Sequence, residues 1–382
     1  MPANLGLSLA DFSSLEEDWR GLQQRAASAP YQSFEWCQAW WRHIGARSGH
    51  ELALIAGRAP DGRLECILPM MITRRHGLRA AEWLGDDHFG WRGPLLDRNF
   101  LQDLNVKTAT GLLRKAAHLL PGIHMFHLLN QPEELDGLPN PFLTGFTEPN
   151  GDMRLLINFE GDSWTGFHCA RRSARSRRNL TRKMRKLREN WPTRTIIART
   201  GLERQACLMT LIRQKTHWFQ QAGLPNLFAL PGHVDFLEEI ILAEHHDTPL
   251  SFNITALQVA GHIESVSINT VWHGEPFGFL LSRSHSPDLN RLSIGEGLIN
   301  RTLRFFFQQG ARCFDFGPGE APYKERWADN RIIHHDTTLP LSNRGRVYMY
   351  YRKKYRQTSN KLKEFPVIYN TTRYAFKSIG ML

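Results

Sequence analysis

Apolar residues dominate 51–58 and again 63–73, and between them stands Pro60-Asp61-Gly62. Apolar runs of that length on both sides of such a tripeptide predict strand, turn, strand. Three further strand-like runs, residues 252–259, 263–272 and 277–284, are divided by Ala260-Gly261 and by His273-Gly274-Glu275-Pro276. Both dividers are hairpin chemistry, so an antiparallel meander is expected there. Helical spacing governs other stretches. Ser33 can cap a helix carrying Trp36, Trp40 and Trp41, residues 112–120 form a second helix ended by Pro121-Gly122, and residues 205–221 and 233–245 give two more. Short strands are expected at 124–129, at 153–159 and at 313–316.

From Gln131 to Asp152 no period is sustained, and Pro132, Pro139, Pro141 and Pro149 accumulate with Gly and Asn. That composition predicts a boundary, giving an N-terminal domain at 1–140 and a C-terminal domain at 141–382. The fold class is α/β (α+β), with mixed, mostly antiparallel sheets flanked by helices. No internal repeat shows at the level of residues. With 382 residues, 41% hydrophobic and 22% charged, the chain can bury two cores of ordinary size.

Charge changes this picture because it is local. The net charge is +11, yet residues 171–188 alone hold ten Arg and Lys with no acid, and residues 344–377 hold ten against Glu364. The rest of the chain is therefore net acidic. Within the basic helix expected over 168–191, Leu180, Met184, Leu187 and Trp191 recur at intervals of four, three and four. One face is thus apolar and the other basic, and like charges at that density repel unless an anion lies near. Coenzyme A, a nucleotide sugar, tRNA or an anionic membrane surface would each serve, and charge alone does not choose among them. The basic C-terminal segment, 344–382, interleaves Tyr348, Tyr350, Tyr351 and Tyr355 with its cations. Such rings can stack on bases, sit at a membrane interface or pack on the domain.

No apolar run reaches the length of a membrane span, and the first residues, with Asp11, Glu16, Glu17 and Asp18, lack the pattern of a secretory leader. A cytoplasmic location is expected, with peripheral attachment at the inner membrane face as its variant. The five cysteines are odd in number and widely spaced, which reads as reduced thiols. His245-His246-Asp247 and His334-His335-Asp336 put neighbours on different faces of any helix or strand, so no metal site is expected.

The chemistry concentrates in two places. Gly295-Glu296-Gly297 opens an amphipathic segment through Leu298, Ile299, Leu303, Phe306 and Phe307, and backbone N–H groups around Ser293, Gly295, Glu296 and Gly297 would lie at a helix N-terminus that favours a pyrophosphate. Next comes Phe314-Asp315-Phe316-Gly317-Pro318-Gly319-Glu320, then Tyr323-Lys324 and Arg326-Trp327, a strand running into a glycine-proline turn. Asp315 either points into a cleft or caps the turn, and the residues leave both open. Glu320 is a second carboxylate beside it, and Glu320, Arg326 and Trp327 are the expected contacts to substrate.

These residues, in the order strand, Gly-x-Gly, helix, Phe-Asp-Phe-Gly-Pro-Gly-Glu and Tyr-Lys, resemble the GNAT-type acetyltransferases of the CelD/BcsL group, linked to cellulose and exopolysaccharide synthesis. That group is similar to the Fem-type aminoacyltransferases of peptidoglycan, in which two GNAT-like domains sit side by side. The likeness is most specific over about residues 250–330 and extends to Phe34-Glu35-Trp36 with Trp40-Trp41. Arg291 stands one residue further from Gly295 than the group's phosphate-binding pattern has it. The resemblance implies two side-by-side GNAT-like domains and an N-acyltransferase, acetyl-CoA dependent and without a metal. Its acceptor would be an amino sugar or another envelope-polysaccharide precursor. Lys324 would offset charge on the tetrahedral intermediate, Tyr323 would protonate the leaving group, and Glu264 on a central strand would be a reserve base to Asp315. Transfer of an aminoacyl group from tRNA is the alternative, and a non-catalytic regulator of polysaccharide synthesis is the third.

Overall fold

The computed structural model describes residues 5–362 except 28, 87 and 320, with side chains up to residue 354. The predicted substrate contact Glu320 and most of the C-terminal basic segment lie outside the described residues.

One mixed sheet of 14 strands runs through the molecule, flanked by helices. The hairpins expected at Ala260-Gly261 and His273-Gly274 form because their two loop residues accept left-handed backbone, and His76-Gly77 makes a further one that the sequence reading did not include. All six residues have φ between 49° and 85°, the geometry that matches strand twist. Helix starts follow their caps. Ser33 accepts from Trp36 N–H, and Thr200 and Glu203 form a reciprocal box at the head of Gly201–Ala222.

The chain uses one topology twice. In the first half, strand Gly6–Ala10 leads through helices Phe12–Gln23 and Phe34–Trp40 to strands Glu51–Arg58, Leu64–Arg75 and Leu78–Trp83. Helices Arg98–Asp103 and Val106–Ala117 then return the chain to strand Met125–Pro132, which pairs parallel to Leu78–Trp83 at Ala80 and Met125. In the second half, Thr193–Ile197 leads through Gly201–Ala222 and His233–Leu242 to strands Leu250–Val259, His262–Trp272 and Glu275–Arg283. Helices Pro287–Arg291 and Ile294–Gln308 then reach Cys313–Pro318, parallel to Glu275–Arg283 with Phe277 against Asp315. The remaining pairings in each series are antiparallel.

Strands Asn330–Pro340 and Phe146–Asn158 lie side by side between the two repeats and join them into one surface. The second begins inside the stretch that reads as structureless. A bulge between Pro149 and Met153 breaks its alternation, which is how a sheet tolerates a proline and why the period is invisible. The largest core also spans the halves, with Trp36 edge-on to Phe236 and to Phe279 at 5.2 Å each, and Tyr31 against Phe277 at 6.4 Å.

The basic helix Ala174–Asn190 is present, capped by Ser173, with Leu180, Met184 and Leu187 buried as their spacing predicts. Among the described residues no helix is long and apolar enough to cross a membrane.

Candidate functional site

The parallel pair at the heart of the second repeat positions the site. Asp315 is buried at 2% exposure, and both its oxygens are engaged. Oδ1 accepts from Gly317 N–H at 2.8 Å, and Oδ2 accepts from the Arg154 guanidinium at 2.9 Å. Gly317 and Gly319 stand at φ +69° and +87°, and a Cβ on Gly317 would lie 2.4 Å from the carbonyl oxygen of Gly278. Only glycine fits that turn.

Lys324, on the short helix Pro322–Glu325, reaches back into the turn. Its ammonium donates to the carbonyl oxygens of Gly317, Pro318 and Gly319 at 3.2, 2.6 and 3.0 Å. Burial pulls its pKa down to about 8, against the opposing fields of Asp315 and Asp152, and nearby Lys215 adds to the lowering. Lys215 is itself lowered by burial, with its ammonium 4.9 Å from the Trp218 ring centroid. Tyr323 packs edge-on to Phe316 at 6.3 Å, and burial pushes its phenol up to about 12, so it is protonated near neutrality.

The first half closes over this end of the strand. Tyr31 is raised above the ordinary phenol range by burial first and by Asp315 second, and Arg154 lies over the Trp91 ring at 5.6 Å. Next to Arg154, His334 donates from Nδ1 to Asn130 Oδ1 at 2.7 Å, and burial together with the Arg154 charge holds its pKa at about 3.

At the start of helix Ile294–Gln308, Ser293 sits in the left-handed region at φ +57° and gives no side-chain cap. Its hydroxyl instead accepts from the Lys183 ammonium at 2.8 Å. Glu296 is ion-paired to Arg172, whose guanidinium lies 5.1 Å from the Trp327 ring centroid. A Cβ on Gly297 would meet Met184 Sδ at 2.4 Å, while one on Gly295 would meet only the Arg283 side chain at 3.4 Å. Gly297 thus makes room for the basic helix, and Gly295 leaves the first turn bare toward Arg283. The uncapped N–H groups and three cations, Arg172, Lys183 and Arg283, form surroundings that suit a phosphate group.

The structure brings Asp315, Tyr323 and Lys324 together at the turn and Ser293, Gly295, Glu296 and Gly297 together at the helix start. It separates others. Arg291 is exposed and pairs with Asp288 at 3.4 Å, Arg326 is exposed, and Trp327 is buried in a cluster with Phe316 and Phe306. Glu264 lines an open cavity of about 600 Å³ with Arg213, His217, His262 and His285. Arg154, Tyr31 and Lys215 escaped the reading of the sequence, while Arg172 falls in the basic cluster that it singled out. A lone arginine inside the apolar strand 153–159 was the one usable signal.

Among the described residues no group of three or more His, Cys, Asp and Glu is placed to hold a metal ion.

Comparison with known proteins bears on the fold. Residues 174–325 match the model of the acetyltransferase (GNAT) domain. No curated protein matches the chain. Among solved structures, FemX is similar over 88% of this chain and 97% of its own, at 10% identity and a TM-score of 0.57. A C-terminal domain assigned to a lysylphosphatidylglycerol synthetase of Agrobacterium fabrum is similar over 89% and 96%, at 12% identity and 0.51. A protein of unknown function from Bacteroides thetaiotaomicron follows over 88% and 99%, at 10% identity and 0.50. At such identities the likeness concerns the fold, which is the paired GNAT arrangement. The chain carries a GNAT acetyltransferase domain and is an acyltransferase.

Proposed function

We propose that the protein transfers an acyl group from acyl-CoA, with acetyl-CoA as the donor, to the amine of an amino sugar or another precursor of an envelope polysaccharide, as in the CelD/BcsL group that its second half resembles. The observation that carries this reading is the uncapped helix start at Ile294, lined by Arg172, Lys183 and Arg283, at the foot of the parallel strand pair 275–283 and 313–318. A pyrophosphate bound there directs the thioester toward the turn after Pro318. The Lys324 ammonium lies at that turn to offset negative charge on the tetrahedral intermediate. As the C–S bond breaks, Tyr323, protonated at neutral pH, gives its proton to the departing thiolate and regains one from the nitrogen of the newly acylated amine. Asp315 holds the turn and Arg154 in place for both. Residues 1–140 form a first domain that closes over the site, and residues 141–382 carry the chemistry.

Isothermal calorimetry with acetyl-CoA tests the donor. Binding should be present in the wild-type protein and weakened when Gly295 is replaced by a bulky residue that covers the first turn. No heat at millimolar acetyl-CoA removes this donor.

One observation favours a second donor. Arg175, Arg178, Arg182 and Arg185 are all exposed and lie three, four and three residues apart, a single stripe along the basic helix. Such a row fits the backbone of an RNA, as aminoacyl transfer from tRNA would need. Filter binding of tRNA should then weaken with salt at a log-log slope of about −0.7 to −0.9 per phosphate neutralised. Binding that stays weak at low salt leaves the stripe to another anion.

A further inference from the structure

The helix Asn343–Leu362 is fastened to the sheet by one face. Arg352 donates to Glu148 at 3.0 Å and to Asp336 at 2.9 Å, Tyr348 rests on His127 and His76 at 5.9 and 5.7 Å, and a Cβ on Gly345 would lie 2.3 Å from the His124 carbonyl oxygen. The opposite face carries Val347, Tyr350 and Tyr351, which are 55%, 57% and 67% exposed. Their spacing of three and one puts them on one stripe of the helix.

Cations surround that stripe. Arg344, Arg346, Lys353 and Lys354 are exposed, the Lys354 ammonium lies 5.9 Å from the Tyr350 ring centroid, and Arg74 is exposed on the hairpin whose tip, His76, touches Tyr348. No acid stands between residues 337 and 363, and the sequence beyond continues in the same composition, with Phe365, Tyr369, Tyr374 and Phe376 among Lys363, Arg373 and Lys377.

We propose that this outward face docks on an anionic phospholipid bilayer. Valine and two adjacent phenols would enter the boundary between headgroups and acyl chains, while the flanking cations meet lipid phosphates. An RNA could stack on the tyrosines but gains nothing from the aliphatic Val347, which favours lipid over nucleic acid. The proposal is independent of the acyl donor, since neither Tyr350 nor Tyr351 belongs to the turn or the helix start described above.

Co-sedimentation of the full chain with vesicles tests it. Vesicles of phosphatidylcholine with about 30 mol% phosphatidylglycerol should bind the protein, and phosphatidylcholine alone should not. The double variant Tyr350→Ser, Tyr351→Ser should bind the anionic vesicles about tenfold more weakly with an unchanged melting temperature. The variant Lys107→Ser, Arg114→Ser, which removes two exposed cations from helix Val106–Ala117, serves as control and should bind as the wild type does. Failure of the wild type to bind overturns the proposal. So does equal binding by the tyrosine variant, or loss of tRNA binding in that variant with lipid binding retained.

Discussion

The two repeats share an element order down to the short helix that precedes the long one, yet they treat the start of that long helix in opposite ways. In the first, Asn105 caps Val106–Ala117, accepting from Thr108 N–H while Thr108 reciprocates. The turn satisfies itself and has no use for a ligand. In the second, Ser293 offers no cap, and three cations stand around the bare N–H groups instead. The same fold is closed in one copy and open in the other. Topology alone therefore does not distinguish the two copies; the fate of a few backbone donors does.

The strongest test of this contrast lies at the strand end that the second repeat builds around the buried pair Asp315 and Arg154. Asp315→Ala leaves Arg154 buried without its partner and should cost about 3–5 kcal/mol in chemical denaturation. Replacing both, Arg154→Met with Asp315→Leu, should recover most of that loss, because two charges are removed together. A single variant within 0.5 kcal/mol of wild type, about the noise of a surface change, would show that the pair holds nothing.

The two Gly-x-Gly steps sharpen the same point within the second repeat. Gly317→Ala meets a left-handed backbone and the Gly278 carbonyl oxygen, and about 3 kcal/mol or more should be lost. Gly295→Ala meets only the flexible Arg283 side chain at a helical position and should be neutral or stabilising by up to about 0.5 kcal/mol. Equal effects at both positions, read by thermal unfolding, would mean that the two glycines answer to one cause.

Identical letters with different causes also explain what could be read in advance. Turns at Gly62, Gly261 and Gly274, the capped helix at Ser33, and the buried face of Leu180, Met184 and Leu187 follow from local rules, and the sequence carries those rules openly. The repeat itself does not. Its two copies bury different side chains behind one backbone path, so no residue pattern recurs. Strand 330–340 carries no such signal because His334, His335 and Asp336 interrupt its apolar run, and Asn130, which bonds both His334 and Asp336, lies 204 and 206 positions away. Arg154 with Asp315 and Arg172 with Glu296 are likewise pairs across 161 and 124 positions. Long-range partners of this kind leave no trace in spacing.

Lys324 gives a pH-dependent form of the test. Its folded pKa of about 8 lies below its ordinary 10.5, so between those values the unfolded chain binds more protons. Stability from this group should then rise as pH climbs from about 8 toward 10.5, and Lys324→Met should remove that rise. In turnover the same variant should lower kcat on the order of 100-fold with donor affinity little changed. A parallel pH profile for both proteins would detach the lysine from the turn.

The smallest effects bear most directly on the closed and open helix starts. Asn105→Ala removes a cap that its own helix needs and should cost about 1 kcal/mol, with acetyl-CoA binding untouched. Ser293→Gly does the reverse. Glycine accepts φ +57° without the left-handed penalty, so stability should hold or rise by about 1 kcal/mol, while the Lys183 ammonium loses its hydroxyl and is freed toward the bare N–H groups. If those groups take a phosphate, the freed cation should strengthen calorimetric binding of acetyl-CoA at low salt and lose that advantage at high salt. If Ser293→Gly and Asn105→Ala both destabilise and neither moves binding, the second helix start is closed like the first, and the site must be sought elsewhere on the sheet.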